Sequence, residues 1–146
     1  MSVTFARDPI EERTRLLLDR LEAGEAVGDP DESEHVDLKE EAGRRGPGGE
    51  VLPGEPHNEV AAAKLAEAAA CMANSDGGGA LIVGVSDLGE LIGMRLDGGW
   101  LRQRIWELTD RLLTVAVRDV EVRSVRLLVV RVPQALQPVP FRKKLR

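Results

Sequence analysis

Three carboxylates and a lysine are the residues of this chain best placed by type and spacing to do chemistry. Glu32, Asp37 and Lys39 stand in the pattern E-x-x-x-x-D-x-K, and Asp87 follows a short apolar run further on. If the first stretch is a strand, Asp37 and Lys39 share one face of it. Carboxylate oxygens are hard ligands of the kind that Mg²⁺ or Mn²⁺ takes. An ion held by such a set polarises a phosphodiester and lowers the pKa of a bound water, and a lysine can steady the charge that develops. Glu32, Asp37 and Asp87 are therefore candidate metal ligands and, with Lys39, candidate catalytic residues of a metal-dependent nuclease. Taken alone, the same pattern also describes a solvated strand face, because acids and lysines are common on surfaces.

The elements that must position these residues can be read along the chain. An N-terminal helix is expected from about Asp8 to Ala23, with Asp8 as cap, Pro9 in the first turn and Gly24 as the stop. A strand is expected within Glu32 to Glu41. Val36 and Leu38 would face one side of it, and His35, Asp37, Lys39 and Glu41 the other. The glycine- and proline-rich stretch from Gly43 to Pro56 reads as a loop. A second helix, about Asn58 to Ala73, is rich in alanine, which suits close approach to a sheet. Its one cysteine, Cys71, is expected to be a small buried side chain.

The stretch NSDGGGALIVGVSDLGELIG, Asn74 to Gly93, follows. Its glycines close a helix and open a strand, the wrong polarity for a phosphate cradle, in which the glycines open a helix. A turn at Ser75 to Gly79, a strand at Ala80 to Val85 and a second turn at Asp87 to Gly89 are the better reading. In it the strand delivers Asp87 towards the first strand's acids. A third helix is expected over about Trp100 to Leu113, with Leu101, Ile105, Leu108 and Leu112 as its apolar stripe. Two strands, near Val117 to Arg123 and Val125 to Val132, complete a small α/β domain whose helices pack on a mixed four-stranded sheet.

Composition bounds the function. The 146 residues suit one compact domain, and the single cysteine excludes an internal disulfide, a zinc ribbon and a zinc knuckle. Aromatic residues are 3%, with no tyrosine, which argues against a platform that stacks several bases. Apolar runs are far too short for a membrane span and no signal peptide is evident, so a cytoplasmic protein without a membrane partner is expected. The net charge of −5 is uneven: residues 1–100 hold 9 Lys and Arg against 21 Asp and Glu, and residues 101–146 hold 11 against 4. Such asymmetry fits an electrostatic partner for the basic part, or two solvated faces that neutralise each other.

The motifs together resemble the Schlafen AlbA_2 domain family, whose members include the N-terminal modules of bacterial transcriptional regulators. The pieces that carry the resemblance are Glu32 with Asp37-Leu38-Lys39, Met72-Ala73-Asn74, Gly77-Gly78, Leu81 to Val85, Asp87, Gly89 to Gly93, and the closing QPVPF. They cover about Glu32 to Phe141. The resemblance implies an Alba-like α/β fold and a role in binding nucleic acid, DNA or RNA. It also implies that Glu32, Asp37 and Asp87 match the acids of a Schlafen RNase centre. Asp37 stands where the family usually has Glu, Leu38 where it has Phe, and Gly79 is an extra glycine. A groove built from two Schlafen cores would need a second chain here, hence a candidate homodimer.

The organisation expected is a helical extension at residues 1–28, the AlbA_2-like domain at 29–141 and a basic tail at 142–146. Arg44, Arg45, Arg102, Arg142 and Lys143 are the candidate phosphate contacts. Three readings stand: a nucleic-acid-binding module, a nuclease requiring Mg²⁺ or Mn²⁺, and a non-catalytic dimerisation module of a longer protein.

Overall fold

The structure, a computed structural model, describes residues 8–27 and 35–141. Its elements are α1 (Pro9–Glu22), β1 (Val36–Lys39), α2 (Glu59–Ala73), β2 (Gly79–Val83), α3 (Gly98–Leu108), β3 (Ala116–Val122) and β4 (Val125–Val132). The sheet runs β1-β2-β4-β3, with β1 parallel to β2 and the other neighbours antiparallel. This is the mixed four-stranded α/β domain that the patterning implies.

β2 and β4 are the inner strands. All five residues of β2 are buried, so GALIV reads as an unbroken apolar run rather than an alternation. Leu81 and Val83 pack with Leu128 and Val130 of β4 beneath α2 and α3. Ala80 and Ile82 face the other way, where Val36 and Leu38 of β1 meet Ile10, Leu17 and Leu21 of α1. The N-terminal helix thus packs on this face of the sheet.

The alanines of α2 do what their small size permits. Ala61, Ala62, Ala66, Ala69, Ala70 and Ala73 are buried against the sheet and α3. Cys71 lies on the opposite side of this helix and is exposed, not buried as the alanine-rich context suggests. The three glycines before β2 divide their tasks. Gly77 and Gly78 take positive φ, 83° and 70°, to turn out of the helix. Gly79 is wedged between the His35 carbonyl and the Met72 sulfur, where a Cβ has no room.

The third helix departs from its periodicity. It begins at Gly98, capped by Asp97, whose carboxylate accepts from Trp100 N at 3.0 Å. It ends at Leu108 because Asp110 and Arg111 adopt left-handed backbone, φ 57° and 62°. Leu112 therefore leaves the stripe and is 46% exposed, while Leu101, Ile105 and Leu108 stay buried. Arg123 and Ser124, φ 50° and 67°, make the tight two-residue connection from β3 to β4 without a glycine.

Ion pairs hold the N-terminal end of α1 to the sheet. The Arg131 guanidinium donates to Asp8 Oδ2 at 2.9 Å, and Arg118 pairs with Glu11 at 3.1 Å. Asp8 also caps α1, accepting from Ile10 N at 3.0 Å. Burial alone would raise its carboxyl pKa, but the Arg131 and Ile10 bonds outweigh that and hold it below the usual carboxylate value. A depressed carboxyl contributes stability above its unfolded value, and that contribution is lost as pH falls through the folded one. Asp8→Ala should cost about 1 kcal/mol at neutral pH, as N-cap losses do. The difference from the parent should begin to shrink below about pH 4 and close only once pH has fallen through the lowered folded-state value, where the carboxyl is neutral. Thermal unfolding followed across pH checks both statements.

Candidate functional site

β1 alternates as a half-buried strand should. Val36 and Leu38 point into the core under α1, and Asp37 and Lys39 point to the other side, partly exposed at the edge of the sheet. There the Lys39 ammonium lies 3.1 Å from Asp37 Oδ2. Lys39 O accepts from Gly84 N at 2.7 Å and Val85 N at 3.1 Å, which ties the end of β1 to the end of β2. Because these two strands run parallel, both chains leave the sheet at the same end.

Asp87 sits at that end, in a turn closed by Gly89 N to Ser86 O at 2.9 Å and Ser86 N to Glu90 O at 3.0 Å. The Ser86 hydroxyl accepts from Glu90 N at 3.0 Å and steadies the same turn. Asp87 is exposed and has no hydrogen bond or ion pair among the described residues. The turn leans on the α1 side, where Gly89 abuts the Val27 carbonyl so closely that a Cβ would collide with it. Asp37 and Lys39 face the α2 side. Glu32, the third acid of the set, lies outside the described residues. Among the described residues no three His, Cys, Asp and Glu side chains gather at metal-binding distance. What the structure brings together directly is Asp37 with Lys39.

The candidate phosphate contacts differ in how free they are. Arg44 donates through Nε to Leu52 O at 2.8 Å and through its terminal nitrogen to Gly93 O at 2.7 Å, stapling the 43–57 loop to the segment after β2. Arg45 pairs with Glu40 at 3.0 Å and donates to Gly49 O at 3.0 Å. Arg102, on α3, is exposed and without a partner among the described residues. Arg142 and Lys143 lie outside the described residues.

Two structurally decisive residues escape the strand and helix patterns. Glu41, which alternation would place outward with Asp37 and Lys39, is 1% exposed. Its Oε2 accepts from Glu55 N at 2.9 Å and Asn58 Nδ2 at 2.7 Å, and its Oε1 from Arg95 N at 2.8 Å. β1 has ended by then, so period two no longer applies. The nearest sequence signal is Gly54, where any Cβ would run into Glu41 Oε1. Asn74, a residue of the family motif, bonds both backbone groups of Val139, at 2.9 and 3.1 Å. It thereby pins the proline-bearing exit to the end of α2. Gly77 N donating to the Gln134 side chain at 2.9 Å adds a second tie.

Comparison with known proteins agrees with this architecture. The family model described as Schlafen, AlbA_2 matches residues 32–145. The DIP2311 protein from Corynebacterium diphtheriae, known from a crystal structure, is 41% identical with a TM-score of 0.74 over 90% of this chain. This chain spans 28% of that protein's length. The N-terminal domain of an ATP-dependent DNA helicase RecG-related protein from Nitrosomonas europaea, known from NMR, aligns at 22% identity and a TM-score of 0.48. That alignment covers 95% of this chain and 83% of the other. No curated protein matches. The chain belongs to the Schlafen AlbA_2 family. Among the described residues, no helix is long and apolar enough to cross a membrane.

Removing the Glu41 carboxylate would leave two backbone N–H groups and one amide without their acceptor inside the protein. Glu41→Ala should cost on the order of 3 kcal/mol, at about 1–3 kcal/mol for each buried group left unpaired. Glu41→Gln should also destabilise, because its NH₂ must face one of the same donors. Urea unfolding of both variants measures this. A loss below about 0.5 kcal/mol for Glu41→Ala would mean that water replaces the carboxylate freely.

Proposed function

We propose that the chain is a nucleic-acid-binding module of a bacterial regulator or defence-type protein. The observation that carries this reading is Arg102, an exposed cation with no acidic partner among the described residues, in a chain of the Schlafen AlbA_2 family. Arg44 and Arg45 support it less directly, since their guanidiniums already bond within the protein. A homodimer, which would add the second wall of a groove, belongs to the same proposal. Affinity for DNA or RNA should fall steeply with salt, because phosphate contacts release counterions. Arg102→Ala should weaken binding to all sequences alike and lower the salt slope by about 1. Fluorescence anisotropy at several salt concentrations measures both, and no binding at low salt would remove the reading.

A second reading, a divalent-metal-dependent endonuclease, is supported by the Asp37–Lys39 pair alone, since the Asp87 turn leaves the same end of the sheet but on its α1 side. Glu32, Asp37 and Asp87 would hold Mg²⁺ or Mn²⁺, and their oxygens are of the class such ions take. When bound, the ion would supply Lewis-acid activation of a phosphodiester. Lys39 would hold Asp37 in place and set a positive charge beside the substrate's backbone. Asp87→Asn keeps the side chain's size and removes its charge. On this reading it abolishes Mn²⁺-dependent cleavage of labelled RNA or DNA while affinity stays within a few fold. An Asp87→Asn protein that cuts at the parental rate would exclude this acid from any centre.

A further inference from the structure

Trp106 differs from the other described tryptophan. Trp100 is already stacked on His57, with ring centroids 5.0 Å apart. Trp106 lies partly exposed on the outer side of α3 and lines a depression of about 250 Å³ with Arg102, Gln103 and Thr114. The Arg111 guanidinium stands over its ring, 5.5 Å from the centroid. That placement follows from the early end of the helix. Arg111 N donates to Trp106 O at 2.8 Å, and Asp110 and Arg111 hold left-handed backbone that non-glycine residues adopt at a cost. Arg102 is one turn earlier on the same helix and is free to meet an anion.

The nearby acids are mostly committed to other groups. Asp97 caps α3, Asp119 pairs with Arg126, and Glu107 pairs with Arg104, which also pairs with Glu59. Asp110, beside Arg111, also has an interaction of its own. An indole with one arginine over its ring, a second arginine one turn earlier on the helix and a side-chain amide alongside matches one chemistry well. A nucleobase offers a π-face to the ring and hydrogen-bonding edges to the amide, and its flanking phosphates offer charge to the arginines. The scarcity of aromatic residues argues against a row of stacked bases but leaves room for one. A paired base in a duplex has no free face to give, so the strand must be single.

We propose that the α3 surface centred on Trp106 is a single-base stacking site for single-stranded nucleic acid. Arg102 contacts one flanking phosphate, the Arg111 guanidinium moves from over the ring to a second as the base takes its place, and Gln103 meets the base edge. The inference rests on the nucleic-acid-binding reading above and names the strand type and the residues that would take it.

The test uses two labelled probes of equal length, a short oligothymidylate and an abasic strand with the same phosphodiester backbone. Wild-type protein should bind the base-bearing strand more tightly. Trp106→Ala should lose about 5- to 150-fold in affinity for that strand, the range of one stacked base, and change little on the abasic strand. Trp106→Phe, which keeps a ring, should retain most of the affinity, while Arg102→Ala should weaken both probes. Parental affinity for oligothymidylate in Trp106→Ala, with Arg102→Ala still impaired, overturns the stacking site and leaves the binding reading standing. Equal loss on both probes in Trp106→Ala, unrescued by Phe, assigns the ring a structural role and overturns the site as well. A wild type that binds neither probe at low salt overturns the stacking site, and one that also fails to bind duplex DNA and RNA there removes the binding reading as well.

Discussion

The buried carboxylate of Glu41 is the constraint on which the arrangement of loops around the sheet depends. Four segments meet at it: the exit of β1, the loop at Glu55, the cap of α2 at Asn58, and the chain at Arg95. A charge removed from water is costly unless its oxygens are fully satisfied, and here three donors at 2.7 to 2.9 Å satisfy them. The positive end of the α2 dipole lies beside it. Asn58 extends the network by accepting from Ala61 N and donating to Ala42 O, so the helix start is fixed from both directions. Together with Arg44, this side chain orders a loop that is too rich in glycine and proline to order itself.

The two faces of the sheet are secured differently. Beneath α2 and α3 the chain uses small side chains and close approach, with alanines against Leu81, Val83 and Val130. Beneath α1 fewer and larger residues bury the face, and the first turn of the helix is tied by exposed ion pairs from Arg118 and Arg131. Pairs of that kind contribute little each and are screened by salt. α1 therefore owes its position mainly to Ile10, Leu17 and Leu21, with the charges setting its register.

Chemistry-bearing residues are spread over two regions of the surface. Asp37 and Lys39 lie on the β1 edge, close to the end of the sheet from which the Asp87 turn emerges. Arg102 and Trp106 lie on α3 and Arg111 just past its end, towards the opposite edge of the sheet at β3. A strand of nucleic acid bound at one region need not touch the other. The arginines differ in the same way: those of the 43–57 loop are spent on holding the loop, and that of α3 at position 102 is not.

Much of this was legible in the residues alone. The caps at Asp8 and Asn58, the alternation Val36-Asp37-Leu38-Lys39, and the apolar run of β2 each depend on a few neighbouring side chains, and each element formed where its pattern lay. The motif from Asn74 to Gly93 also carried the family. What sequence could not decide depends mostly on groups far apart along the chain, and in one place on a local backbone turn. Glu41 is buried because donors 14, 17 and 54 residues away converge on it. Cys71 is exposed because the sheet takes the other side of its helix. Leu112 leaves its stripe because the backbone turns left-handed at Asp110 and Arg111, which hydrophobic periodicity does not encode. Local pattern determined which elements form, and tertiary contact alone decided which polar groups were drawn inside and which cations remained free.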